Sequence, residues 1–112
     1  MPIDSSQQFV YLTTTGRKTG QPREIEIWFV EWDGCVYILA EHGCKAHWVQ
    51  NVMTNPPVRM RIGDRHWAAQ GRVLNPEADS GLYDRVRELA RQKYKWGEGL
   101  PVEFRLTGDI SL

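Results

Sequence analysis

The chain has 112 residues, the length of one domain, and a formal net charge of zero. Zero net charge excludes a global field that would draw the protein onto nucleic acid or a membrane surface, so any anion site has to be local. A hydrophobic content of 41% and a charged content of 25% are those of a folded globular protein, and no apolar run is long enough to span a bilayer.

Residues 1–8, MPIDSSQQ, have neither the basic nor the apolar region of a signal peptide. They are expected to be a flexible lead-in to a single domain over 9–112. Phe9 to Thr15 reads as a strand from its aromatic and β-branched content. GRKTGQP follows as a loop that pivots on Gly16 and Gly20. Arg23 to Trp32 is the clearest strand. Its odd positions (Ile25, Ile27, Phe29) form a core face, and its even positions (Glu24, Glu26, Trp28, Val30, Trp32) form a pocket wall or an interface. Asp33-Gly34 is a hairpin signal, and Cys35 to Ala40 is the return strand. After the polar loop EHGCK, Lys45 to Met53 predicts a short helix with Ala46, Val49 and Met53 on one stripe, ended by Asn55-Pro56-Pro57.

Val58 to Ile62 alternates apolar residues with Arg59 and Arg61, as a half-buried antiparallel strand does. His66 to Leu74 returns. Asn75-Pro76-Glu77 predicts the start of a helix carrying Leu82, Val86, Leu89 and Lys93. Trp96-Gly-Glu-Gly breaks it, and Val102 to Leu106 is the last strand. The order β-β-β-α-β-β-α-β gives about six mainly antiparallel strands with two helices, an α+β fold built as a small barrel with helices packed outside.

The basic loop is the first chemical candidate. Its glycines let the backbone turn and expose N–H groups, while Arg17 and Arg23 can each grip a phosphate or carboxylate by two bonds and Lys18 adds a point charge. A strand follows it, so it is not a P-loop; a solvated loop is the plain alternative. Cys35, His42, Cys44 and His47 are zinc-ligand types, but their spacing is irregular and no metal site is expected. The two cysteines are expected to be reduced thiols of a cytoplasmic protein. Glu24 and Glu26 share one strand face, either as an acid–base pair or as partners of arginines on a neighbouring strand. Of five tryptophans in a small domain some belong in the core, and such large aromatics can also form the walls of a pocket for a flat ligand.

The segments LTTTGRKTGQPREIEIWF, VYILAEHG and AHWVQNVMTNPPVRMRIG resemble the deazaflavin-dependent nitroreductase and quinone reductase family, within the split β-barrel flavin and deazaflavin oxidoreductases. The resemblance runs from about Tyr11 to Val73. It implies a split barrel that binds coenzyme F420, a deazaflavin with a phosphodiester and an oligoglutamate tail; FMN is the alternative cofactor. It implies that Arg17, Lys18, Thr19 and Gly20 hold the phosphate, that Arg23 meets the phosphate or the tail carboxylates, and that Glu26, Ile27 and Trp28 line the ring. Ala40, Glu41, His42 and Gly43 correspond to a second cofactor loop, and Trp48 and Asn51 to the helix that closes the site.

The activity implied is hydride transfer from the reduced deazaflavin to a quinone, nitroaromatic or enone. Glu26, Trp28 and His42 are the candidates for a catalytic role. An FMN-dependent reductase and a non-catalytic carrier of haem or another flat ligand are the competing readings. Better-known members carry different residues at Glu26, Trp28 and, often, His42; Glu26 and Trp28 are the positions expected to set specificity. A homodimer is expected, with tryptophans of the even strand face in the interface.

Overall fold

The computed structural model describes residues 3–110; residues 1, 2, 111 and 112, which belong to the expected lead-in and domain ranges, lie outside the described residues. Seven strands form one sheet: β1 (Phe9–Thr15), β2 (Pro22–Trp28), β3 (Val30–Trp32), β4 (Cys35–Ala40), β5 (Pro57–Ile62), β6 (Arg65–Val73) and β7 (Leu100–Asp109). The helices are α1 (His47–Thr54), preceded by a 3₁₀ turn over Gly43–Lys45, and α2 (Ser80–Tyr94). The strand order is β2-β1-β5-β6-β7-β4-β3, with every neighbour antiparallel. This is the mainly antiparallel α+β architecture read from the sequence, with seven strands in place of about six.

The extra strand comes from Phe29. The run expected as one strand over 23–32 is interrupted there, so that β2 ends at Trp28 and β3 starts at Val30. The reason is that side chains of α2, rather than a neighbouring strand, satisfy the Phe29 backbone. Its N–H donates to the Tyr94 hydroxyl at 3.0 Å, and its carbonyl accepts from Tyr94 Oη at 2.5 Å and Lys93 Nζ at 3.1 Å. The alternation resets at this point. Phe29 and Val30 are both buried, and Val30 packs under α2 instead of sharing the exposed face of Glu24, Glu26 and Trp28. Because β2 and β3 occupy opposite edges of the sheet, the sheet curls until those edges meet at this residue. The barrel is split between β2 and β4.

The sheet has two cores. The inner one fills the curl with Val10, Leu12, Phe29, Ile38, Met60, Trp67 and Phe104, together with Val49 and Val52 of α1. The outer one lies under α2, where Val86 and Ala90 meet Val30, Tyr37 and Leu39. β4 is buried on both faces, which explains its continuous apolar run. The segment expected as a lead-in contributes Ile3 to the inner core, and Lys93 Nζ holds the Gln7 carbonyl at 2.6 Å.

α1 reaches the sheet through Gly71 of β6: a Cβ there would stand 2.5 Å from Val52 Cγ1, so only glycine permits the approach. The stripe on α1 differs from expectation. Met53 is 58% exposed, whereas Asn51 is buried because it has polar partners inside. α2 starts later than Asn75-Pro76-Glu77 suggested. The Asn75 side chain caps a separate turn, accepting the Glu77 and Ala78 N–H groups at 2.8 and 2.9 Å, and the helix begins only after Asp79. β7 is longer than the expected 102–106 because it pairs with β4 along its first half and with β6 along most of its length.

Candidate functional site

The loop between β1 and β2 is closed by its own backbone: Gly16 N–H donates to Gln21 O and Gly20 N–H to Gly16 O, both at 2.8 Å. Gly20 adopts φ +74°, the left-handed conformation that lets the loop turn into β2. The loop is tied to α1 by one buried side chain. Asn51, 4% exposed, accepts from the Arg17 N–H at 3.1 Å and from Arg17 Nη1 at 2.9 Å, and donates to Thr14 Oγ1 at 3.2 Å. Arg17 Nη2 also lies 3.2 Å from His47 Nδ1. Arg17 is therefore aimed before any ligand arrives.

A cleft of about 410 Å³ opens here, lined by Arg17, Lys18, Thr19, Arg23, His47 and Asn51, with Ile25 and Trp48 at its apolar side. No carboxylate lines it. Among the described residues none of its three formal cations forms an ion pair. Three cations facing one hollow give a locally positive field in a protein of zero net charge.

A second cleft, of about 480 Å³, lies at the split between β2 and β4, lined by Ile27, Trp28, Leu39, Glu41, His42, Ala46, Trp48 and Trp96. Trp48 belongs to both clefts, so a cationic hollow and a tryptophan-walled hollow meet along one indole. Ile25 and Ile27, on the odd face of β2, continue the shared wall. Trp28 is 37% exposed and stacks on Tyr94, with ring centroids 4.5 Å apart and planes inclined by 3°. Burial pushes the Tyr94 phenol up to about 12, so it stays a neutral hydrogen-bonding group. Trp28 is thereby fixed from behind.

Of the residues singled out from the sequence, Arg17, Lys18, Thr19, Arg23, Trp48 and Asn51 come together in the first cleft. Ile27, Trp28, Glu41 and His42 join Trp48 in the second. Gly20 shapes the loop without lining either cleft. Gly43 opens the 3₁₀ turn with φ +58°, and Ala40 is buried in β4. Glu26 lies away from both clefts, on the outer face of β2, where it accepts from the Tyr11 hydroxyl at 2.5 Å. That bond is the main reason the Tyr11 phenol is raised above its usual range. Arg61 stacks over the Tyr11 ring at 4.0 Å, so the Glu26 carboxylate belongs to an outer polar cluster.

Glu41 and His42 are highly exposed and 4.0 Å apart. Sequence reasoning had not placed Thr14, Leu39 or Trp96 at either cleft, and had weighed His47 only as a zinc-ligand type. The tryptophan content pointed to Trp96 in kind; Thr14 carried no signal at all. Among the described residues no three of His, Cys, Asp and Glu converge as a metal group would require.

A family model described as F420H(2)-dependent quinone reductase matches residues 3–104. The chain belongs to that family. Membership makes it an oxidoreductase that works with coenzyme F420. A solved structure described as an F420-H2 dependent reductase (FDR-A) is 28% identical, covers 89% of this chain and 94% of its own, and superposes with a TM-score of 0.65. Another, described as a domain-swapped dimer, is 27% identical over 89% of this chain and 80% of its own, also at 0.65. HutZ, the heme storage protein from Vibrio cholerae, shares only the fold, with 15% identity, 96% and 91% coverage and a TM-score of 0.70. The barrel alone does not select a ligand, then. What this F420H2-dependent quinone reductase family member adds to the barrel is a cationic cleft and a tryptophan-lined cleft that share Trp48.

Proposed function

We propose that the protein uses F420H2 to reduce a quinone, nitroaromatic or enone-type acceptor, with the two clefts that meet at Trp48 as its active site. That shared wall is the observation that carries the reading: an anion seat and a flat apolar seat lie end to end. Arg17, Lys18, Thr19 and Gly20 would hold the phosphodiester, and Arg23 the phosphate or the tail carboxylates. Ile27, Trp28 and Trp48 would flank the ring, with the loop over Ala40–Gly43 at its far side.

When bound, the reduced deazaflavin supplies a hydride from its central ring carbon to the acceptor. The chain's own part is to orient and to exclude water. Trp28, backed by Tyr94, offers a fixed face, Trp96 closes the apolar side, and His42 and Glu41 are the ionisable side chains lining the same cleft.

The test is a side-by-side titration with F420 and FMN, followed by acceptor-dependent oxidation of F420H2. Replacing both Arg17 and Lys18 by Ala should weaken F420 binding by about 2–4 kcal/mol through lost charge-assisted bonds. Wild-type affinity in the double variant would refute the phosphate role. FMN binding tighter than F420 would move the assignment to a flavin, and binding without turnover would make the protein a carrier.

A homodimer is part of the same reading. β2 hydrogen-bonds to a strand on one side only, Trp28 at the split and Trp32 at the end of β3 are exposed, and a relative is described as a domain-swapped dimer. A monomer mass by light scattering would exclude it. Free Cys35 and Cys44 accord with a reducing cytoplasm, and among the described residues no helix is long and apolar enough to cross a membrane.

A further inference from the structure

The first cleft contains one group whose role the cofactor reading leaves open. His47, the first residue of α1, lines the cleft with Arg17, Lys18 and Arg23, and its Nδ1 lies 3.2 Å from Arg17 Nη2. A guanidinium has five donors, no acceptor and no proton to give up at ordinary pH. The contact therefore exists only while Nδ1 keeps its lone pair, with the ring proton on Nε2. Once His47 is protonated, two like charges face each other at that distance. An anion seated between them reverses the situation, because both side chains then donate to it.

We propose that His47 is a proton-linked fourth cation of this cleft: an anion entering beside Arg17 is bound together with a proton taken up by His47. The inference deepens the reading of the cleft as the seat of the cofactor's charged end, and it rests on the anionic part of that reading. It also assigns a ligand class. A cleft that can raise its charge from three to four on binding favours a ligand end with two or more negative charges.

The surroundings agree. The charged groups that line the cleft with His47 are Arg17 and Lys18 of the loop and Arg23 of β2. α1 has no other titratable residue, β1 contributes the neutral Thr14, and Lys45 of the 3₁₀ turn is a further cation two residues upstream. No carboxylate in the lining competes for the proton. Imidazole is the side chain whose ordinary charge change falls between about pH 5 and 8, which sets the range to be searched.

The imidazole signals of the three histidines can be followed by proton NMR across that range, with His47 assigned from its absence in His47→Gln. Sulfate serves as the probe, since its charge is constant there, with chloride as the reference. Sulfate should move the His47 midpoint to higher pH. In parallel, wild-type F420 affinity should improve about tenfold more than that of His47→Gln between about pH 8 and 5.5. A His47 midpoint unmoved by sulfate, or the same pH profile for F420 in both proteins, would overturn the inference. A sulfate response without F420 binding would support it while refuting the cofactor assignment.

Discussion

Asn51 is the residue that ties the basic loop to α1, and replacing it with Leu keeps the branching of the side chain while deleting the amide. The change removes a bond from the Arg17 guanidinium at 2.9 Å and another from the Arg17 N–H at 3.1 Å, and it strands Thr14 Oγ1, on a residue only 1% exposed. A bond to a charged donor is worth about 1.5–3 kcal/mol, and an unsatisfied buried hydroxyl costs about 1–3 kcal/mol. Leucine returns about 1 kcal/mol through apolar burial beside Val49 and Val52. The net loss in stability should be about 1.5–5 kcal/mol. Urea denaturation reads it as a lower midpoint with an unchanged slope. Titration of the folded variant should show F420 binding weakened about tenfold, because Arg17 is no longer aimed. A loss of stability at unchanged affinity would reduce Asn51 to a structural part. A change below about 0.5 kcal/mol in both measurements would refute the network altogether.

Tyr94→Phe keeps the stack on Trp28 but deletes the hydroxyl that meets Phe29 N–H, so unfolding free energy should fall by about 1–3 kcal/mol with little change in Trp fluorescence; Tyr94→Leu should change both. Equal effects of the two variants would show that the hydroxyl contributes nothing. Gly71→Ala should cost about 1–3 kcal/mol, since the new methyl would meet Val52 Cγ1 at 2.5 Å and Phe104 Cε1 at 3.0 Å. Val52→Ala should recover part of that loss in the double variant, and strict additivity of the two would contradict this packing.

Much of the molecule is visible in local sequence. Aromatic and β-branched content locates β1, period-two alternation locates β5 and β6, and the Asp33-Gly34 turn, with Asp33 at φ +53° and Gly34 at φ +80°, locates the hairpin of β3 and β4. The charge of GRKTG and the run W-x-x-N mark the two segments that form the anion cleft, although only the folded chain shows that Asn51 joins them. The break at Phe29 is not legible, because nothing near it in sequence is a breaker. Its cause is Tyr94 and Lys93, 65 and 64 residues away. Glu26 misleads for a related reason. It neighbours Ile27 in sequence, but strand alternation turns it to the other face, where Tyr11 is its partner. Thr14 and His47 are ordinary residue types whose roles arise from tertiary contacts.

The break at Phe29 ties fold to function. A single continuous β2–β3 strand would carry the exposed alternation past residue 29 and leave no split through which the second cleft could open. Because Tyr94 and Lys93 take over the Phe29 hydrogen bonds, β2 stops at Trp28, and the indole is left at the rim of that split with Tyr94 stacked behind it. The Lys93 ammonium lies 4.1 Å from the Phe29 ring centroid, and burial holds it below the usual lysine range. One turn at the end of α2 thus opens the barrel, sets the plane of Trp28 and delivers Trp96 to the same cleft. On the proposed reading, α2 sets the ring seat through Trp28 and Trp96, with Trp48 of α1 as its shared wall, and α1 sets the anion seat through Asn51. The two helices therefore divide the site at Trp48, and substitutions on α2 should change what is reduced more than how the cofactor's charged end is held.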